Sequence, residues 1–176
     1  TDHYLDIARK HNNPYLEDLI LQVANSMRFK PTMDDLVNEL ATQGYIQHIG
    51  SNIGPHAFAQ LTNPQLYPEF APFFALFDLS ACQVAQDIDG IFIRKPDPRY
   101  FELYLAKNNL DPYTQPIIFI DENYKNIAAA QSLGFDTILF KHPYQLRTEL
   151  RARGIDIAPP PYGISNQYQS YSLYNY

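Results

Sequence analysis

The 176-residue sequence has a single cysteine, Cys82, no cluster of basic residues, and no apolar run near the ~18 residues that a membrane-spanning helix needs. One thiol excludes an intramolecular disulfide framework and fits a reducing compartment such as the cytoplasm. Cys82 itself is expected to act as a small buried apolar side chain. Thirteen Lys and Arg stand against nineteen Asp and Glu, a net charge of -6 with a pI near 5.2. Without gathered positive charge the chain is not expected to bind nucleic acid. A small anion is still within reach of a few placed cations and backbone N–H groups. The five histidines show no metal-ligand spacing, no internal repeat is present, and the first residue is Thr1 rather than Met. The length suits one domain with extensions.

What is there reads as alternating helices and strands. Residues 2–28 have helical spacing broken at Asn12-Asn13-Pro14, which predicts two helices. Thr32 with Asp35 three residues on resembles a capping pattern, opening a helix through Leu36, Val37 and Leu40 that ends at Gly44. Tyr45–Gly50 reads as a strand finishing at Ser51-Asn52. A short helix is expected over His56–Leu61, a short strand or edge piece over Phe73–Leu79, and irregular chain from Ser80 to Arg94. Lys95-Pro96-Asp97-Pro98 cannot be helical before its second proline and starts a helix over Arg99–Asn109. Ile117–Ile120 is a continuous apolar run of the kind buried in a parallel sheet, and two carboxylates, Asp121 and Glu122, follow it at once. The period then becomes helical, with Ile127, Ala128 and Leu133 on one face and Gly134 as the closing residue. Asp136–Phe140 is a further strand and Tyr144–Arg153 a final helix. Residues 158–176, rich in Pro and Tyr and without an apolar face, read as a disordered tail.

Polar residues fall at comparable places in this pattern: Ser51 and Asn52 after one strand, Lys95 before a helix, Asp121 and Glu122 after another strand. In an open α/β sheet ligands bind at the carboxyl ends of strands, so a hydroxyl, a cation and a carboxylate pair would converge there. Such a set suits phosphoryl transfer, which needs cations and donors arranged around charged oxygens. Mg²⁺, usually held by one or two carboxylates with water and phosphate, suits Asp121 and Glu122.

With these residues in order, the sequence resembles the haloacid dehalogenase-like (HAD-like) hydrolase superfamily. The resemblance rests on Gly50-Ser51-Asn52, on Lys95-Pro96-Asp97-Pro98 with Tyr100-Phe101, and on Phe119-Ile120-Asp121-Glu122-Asn123 with Asn126-Ile127, Ala129-Ala130 and Leu133-Gly134. It covers roughly residues 31 to 142. It implies a three-layer Rossmann-like α/β fold with a parallel sheet over residues 31–157, residues 1–30 being the remnant of a helical cap. It further implies that Ser51 and Asn52 bind substrate, that Lys95 holds the nucleophile and phosphate charges together, and that Asp121 and Glu122 hold Mg²⁺. The family usually has Asp at the second acid position. A carboxylate pair there favours a phosphatase over a metal-independent dehalogenase, and the layout from Ser51 to Lys95 resembles that of sugar-phosphate phosphatases.

One part of the family pattern is missing. Its aspartate nucleophile lies in an apolar strand followed by Asp-x-Asp, ahead of the serine. Here the one Asp-x-Asp-Gly, Asp87-Ile88-Asp89-Gly90, falls between the serine and the lysine and reads as a loop turn. The expectation is therefore an N-terminal piece not included here, a chain inactive as it stands, and an intact Mg²⁺-dependent phosphatase for a small phosphorylated metabolite. Since the nucleophile strand would be the central one, Tyr45–Gly50 and Ile117–Ile120 are expected not to pair directly. The alternative is a non-catalytic relative that binds a partner or a phosphorylated ligand.

Overall fold

In the computed structural model the described residues are 9–16, 18 and 32–159. Most of the first two expected helices, and all of the tail beyond residue 159, lie outside them. The expected break is present: Asn12 is left-handed, and Asn13 Oδ1 accepts from the Leu16 N–H at 3.0 Å.

Six helices and six short strands follow from residue 33, giving a mixed α/β architecture with small parallel sheets. In order they are α1 (Met33–Thr42), β1 (Gly50–Ser51), α2 (Pro55–Leu61), α3 (Ala71–Phe74), β2 (Gln83–Val84), β3 (Gln86–Ile88), β4 (Ile91–Ile93), α4 (Pro98–Asn108), β5 (Ile118–Asp121), α5 (Tyr124–Ser132), β6 (Asp136–Leu139) and α6 (Pro143–Ala152). Among the described residues no helix is long and apolar enough to cross a membrane.

The strands form three pairs. β1 and β2 are parallel, with Gly50 opposite Gln83, and β5 and β6 are parallel, with Ile118 opposite Asp136. β3 and β4 make an antiparallel hairpin. The β5–α5–β6 unit follows directly from sequence, because an apolar run, a helix and a second run of matching length leave only a parallel pairing with α5 as the crossover. Alternation along β5 sends Ile118 into one apolar cluster with Leu36, Ile138, Leu146 and Leu150, and Ile117 and Phe119 into another with Tyr100, Phe101, Ala130 and Phe135. This pair of strands is thus covered on both faces, as a continuous apolar run requires. In the second cluster Phe101 meets Phe119 edge-on at 5.2 Å and Phe135 at 5.8 Å between ring centres. Each such pair adds about 0.5–1.5 kcal/mol beyond the area it buries.

Several expectations are corrected here. Phe73–Leu79 is no strand: Ala71–Phe74 is helical, and the Phe73 ring lies tilted against that of Phe77 with their centres 5.1 Å apart. The apolar run hid an i, i+4 aromatic pair. Ser80–Arg94 is not irregular, since it carries β2 to β4. Its turn, Asp89-Gly90, has positive φ at both residues (54° and 78°), the primed geometry that suits a two-residue hairpin. Asp87 Oδ1 accepts from the Gly90 N–H at 2.8 Å, so the Asp89-Gly90 half of Asp-x-Asp-Gly is a turn, as expected, while Asp87 and Ile88 are paired in β3 rather than lying in a loop. The strand expected over Tyr45–Gly50 is laddered only at Gly50–Ser51. Upstream, its neighbour is a turn in which Asp78 Oδ1 caps the N–H groups of Ser80 and Ala81. Thr32 makes no capping bond, and its Oγ1 is buried without a partner. In α5 the inward residues are Asn126, Ile127 and Ala130, with Ala128 exposed. Cys82 is buried as expected: its Sγ accepts from the Ile49 N–H and donates to the Asp78 carbonyl.

Candidate active site

The β1–β2 pair and the β5–β6 pair are separate, and β1 does not pair with β5. One side chain joins their carboxyl ends. Lys95 Nζ donates to the Gly50 carbonyl of β1 at 2.8 Å and to Asp121 Oδ2 of β5 at 2.6 Å.

The loop that carries Lys95 is held at both ends. Ahead of it, β2 runs parallel to β1, and the chain continues past Ala85, whose N–H reaches the Ile53 carbonyl at 3.1 Å. The β3–β4 hairpin therefore leaves from the same strand ends and returns the chain to them at Lys95. Behind it, Asp97 caps α4 by accepting from the Arg99 N–H at 3.0 Å, and Pro98 occupies the first turn, where its missing N–H costs nothing. α4 then buries Tyr100, whose hydroxyl donates to the Gln83 carbonyl at 2.6 Å and fixes α4 to β2. Burial pushes the Tyr100 phenol well up, with the nearby Asp121 charge adding to the rise.

Asp121 is 4 % exposed, and three donors compensate its burial. Oδ1 accepts from the Asn123 N–H at 2.8 Å and from Asn126 Nδ2 at 2.9 Å, while Oδ2 takes the lysine. The ammonium lies 5.5 Å from the centre of the Phe119 ring, and its side chain is 10 % exposed. Two of its three N–H donors are used by Gly50 and Asp121, which leaves one. Ser51 Oγ accepts from the Ile53 N–H at 3.2 Å, and that bond leaves its own hydrogen available. Asn52 binds the backbone of Lys95 through its side chain. Glu122 is exposed and makes no hydrogen bond or ion pair among the described residues.

Of the five residues expected at the site, the structure links Lys95 directly to Asp121 and to Asn52, with Ser51 flanked by two residues that bind Lys95. Glu122 is adjacent to Asp121 in sequence but turned to solvent. Sequence reasoning missed the Gly50 carbonyl, the Phe119 ring and the two asparagines that hold Asp121. A backbone acceptor leaves no trace in residue type. Asn126 did leave a signal, a polar residue on the buried face of α5, where an unpaired amide would be costly. Its Oδ1 remains buried without a partner.

No family model matches the sequence. The chain is 29% identical over 113 residues to the sesquiterpene phosphatase astK of Aspergillus oryzae. The similarity is to a phosphatase. It covers 64% of this chain and 51% of that protein, so the chain spans about half the length of the curated relative it matches.

Proposed function

We propose that this chain is part of a HAD-like phosphatase that hydrolyses a small phosphate monoester. The observation that carries this reading is the Lys95 ammonium between the Gly50 carbonyl and the buried Asp121 carboxylate, with Ser51 the next residue after Gly50. The remaining Lys95 N–H and the Ser51 hydroxyl are donors for phosphoryl oxygens, and both act on charge that develops in the transition state. The low exposure of the pair strengthens this electrostatic interaction relative to water.

The donor set is compatible with Mg²⁺ held in the usual way, by one or two carboxylates with water and phosphate completing the shell. Asp121 Oδ2 accepts a single hydrogen bond and keeps a lone pair, and Glu122, the next residue, is exposed. Among the described residues there is no group of three or more His, Cys, Asp or Glu that could hold a metal by protein ligands alone. Bound there, Mg²⁺ would supply further charge neutralisation to the phosphoryl oxygens. On this reading the attacking carboxylate comes from sequence outside this chain and enters between β1 and β5, which are left unpaired with each other.

The name of the similar protein points to a terpenoid substrate, and one feature supports an apolar alcohol portion. The β3–β4 hairpin, standing at the strand ends that carry Ser51 and Lys95, exposes Ile88, Ile91 and Phe92. The experiment is an assay of this chain and of the longest natural form of the protein on farnesyl phosphate and glucose 6-phosphate, with and without Mg²⁺. The expected result is no turnover by the chain alone and Mg²⁺-dependent turnover by the longer form, favouring farnesyl phosphate. In that form Asp121→Ala is expected to lose about 10²–10³ in kcat. Metal-independent turnover or an unimpaired variant would refute the site. A second reading, a binder of phosphorylated ligands without turnover, is favoured by one observation: among the described residues the only carboxylate on Lys95 is Asp121. Phosphate binding without hydrolysis by the longer form would establish it.

A further inference from the structure

Asn52 stands one residue past β1 and is 43 residues from Lys95 in sequence, yet its side chain binds both backbone polar groups of that lysine. Its Oδ1 accepts from the Lys95 N–H at 2.8 Å, and its Nδ2 donates to the Lys95 carbonyl at 3.0 Å. A carboxamide facing one residue's N–H and C=O reproduces the reciprocal pairing that a neighbouring strand would provide. The loop between β4 and α4 has no such strand there.

We propose that Asn52 is a positioning residue: it clamps the Lys95 backbone and so fixes the ammonium against Asp121 and the strand end carrying Ser51. The bracket is closed from two sides. Gly50 binds Lys95 through its carbonyl to Nζ, and Asn52 binds it through its side chain, with Ser51 between them. The hydroxyl of Ser51 and the ammonium of Lys95 are thereby held in one relative geometry, although they come from different segments. A lysine side chain has four rotatable bonds, and its head is placed only as well as its Cα is. Fixing that Cα supports contacts of 2.8 and 2.6 Å at Nζ. A direct substrate contact by Asn52 would have to use what the clamp leaves over, since one donor and one acceptor are already engaged.

The geometric part of this proposal is independent of the phosphatase reading; its functional value rests on that reading. The test is the rate of acetylation of each lysine, followed by mass spectrometry in the native chain. Lys95 is expected to react slowly in the wild type. Asn52→Ala is expected to raise its rate about fivefold to tenfold, the loss of two modest hydrogen bonds. Asn52→Asp keeps the acceptor for the Lys95 N–H and loses the donor, so it should fall between the two. Hydrogen exchange at the Tyr100 and Phe101 amides measures general loosening and should not change. Unchanged Lys95 labelling in both variants, or labelling that rises only in step with that exchange, would overturn the clamp. Titration of the wild type with inorganic phosphate, followed through the Lys95 Cε signal by NMR, addresses the other reading. No response there would count against phosphate binding, while the labelling comparison still decides the role of Asn52.

Discussion

At the scale of single residues, Lys95 and Asp121 carry the most consequence. Both side chains are largely removed from water, 10 % and 3 % exposed, so neither charge can be left alone cheaply. Asp121→Ala strands the ammonium and also removes the acceptor for Asn126 and for the Asn123 N–H. The expected loss is about 3–5 kcal/mol of unfolding free energy at neutral pH. Asp121→Asn retains an acceptor and should lose less. Urea denaturation of both variants measures this, and a loss below about 0.5 kcal/mol for the alanine variant would mean that the pair behaves as an exposed one. Gly134 illustrates a constraint of another kind. With φ of 90°, a Cβ there would also lie 2.8 Å from the Tyr113 ring. Tyr113 is itself exposed and can move aside, so the backbone conformation is the stronger reason for glycine.

At the scale of elements, α4 shows how a helix start can aim a loop. Asp97 accepts from the Arg99 N–H and pairs with the Arg99 guanidinium, which holds its carboxyl below the usual range. Asp97→Ala is expected to cost about 1 kcal/mol and lower Tm, whereas Asp97→Asn, which can still cap, should retain most of the stability. Equal losses in thermal unfolding would mean that the ion pair, not the cap, matters. The hairpin β3–β4 makes the complementary point. It is only three residues per strand and holds its shape through the Asp89-Gly90 turn, so it can project Ile91 and Phe92 without a covering layer.

At the scale of the whole molecule, the described chain closes on itself through Glu39. Its carboxylate binds Arg147 at 2.6 Å and accepts from the Ala158 N–H, tying α1, α6 and the segment after α6 together. Arg151 reaches the Ile157 carbonyl, and Ile157 is 2 % exposed in the core with Leu36 and Leu146. The hydrogen bond from Arg147 is the chief cause that holds the Glu39 carboxyl below its ordinary value of 4.5. A group depressed in the folded state contributes stability above its unfolded value and loses it as pH falls through the folded one. Exchange protection of the Ala158 amide should therefore fall as pH drops below 4.5. Glu39→Gln should show weaker protection with no such step, and a step of equal size in that variant would assign it to another group.

Much of this was legible in the sequence where a signal is local. The helices from Met33, Pro98, Tyr124 and Pro143, the strands β5 and β6, and the turn at Asp89-Gly90 follow from period, proline and glycine, although the cap read at Thr32 makes no bond. So does the choice of Ser51, Lys95 and Asp121 as residues at strand and loop ends. The errors at Phe73–Leu79 and Ser80–Arg94 arose because a short apolar run fits helix and strand alike, and because three-residue strands are too short to show a period. Tertiary structure alone decided what those residues touch. It placed one ammonium on a carbonyl of β1 and a carboxylate of β5, put the Asn52 amide on a backbone 43 residues away, and buried Asn126 against Asp121. Sequence sets local conformation through short-range sterics and hydrogen bonds. The partner of a charge buried between distant segments is set by packing, which no window of sequence contains.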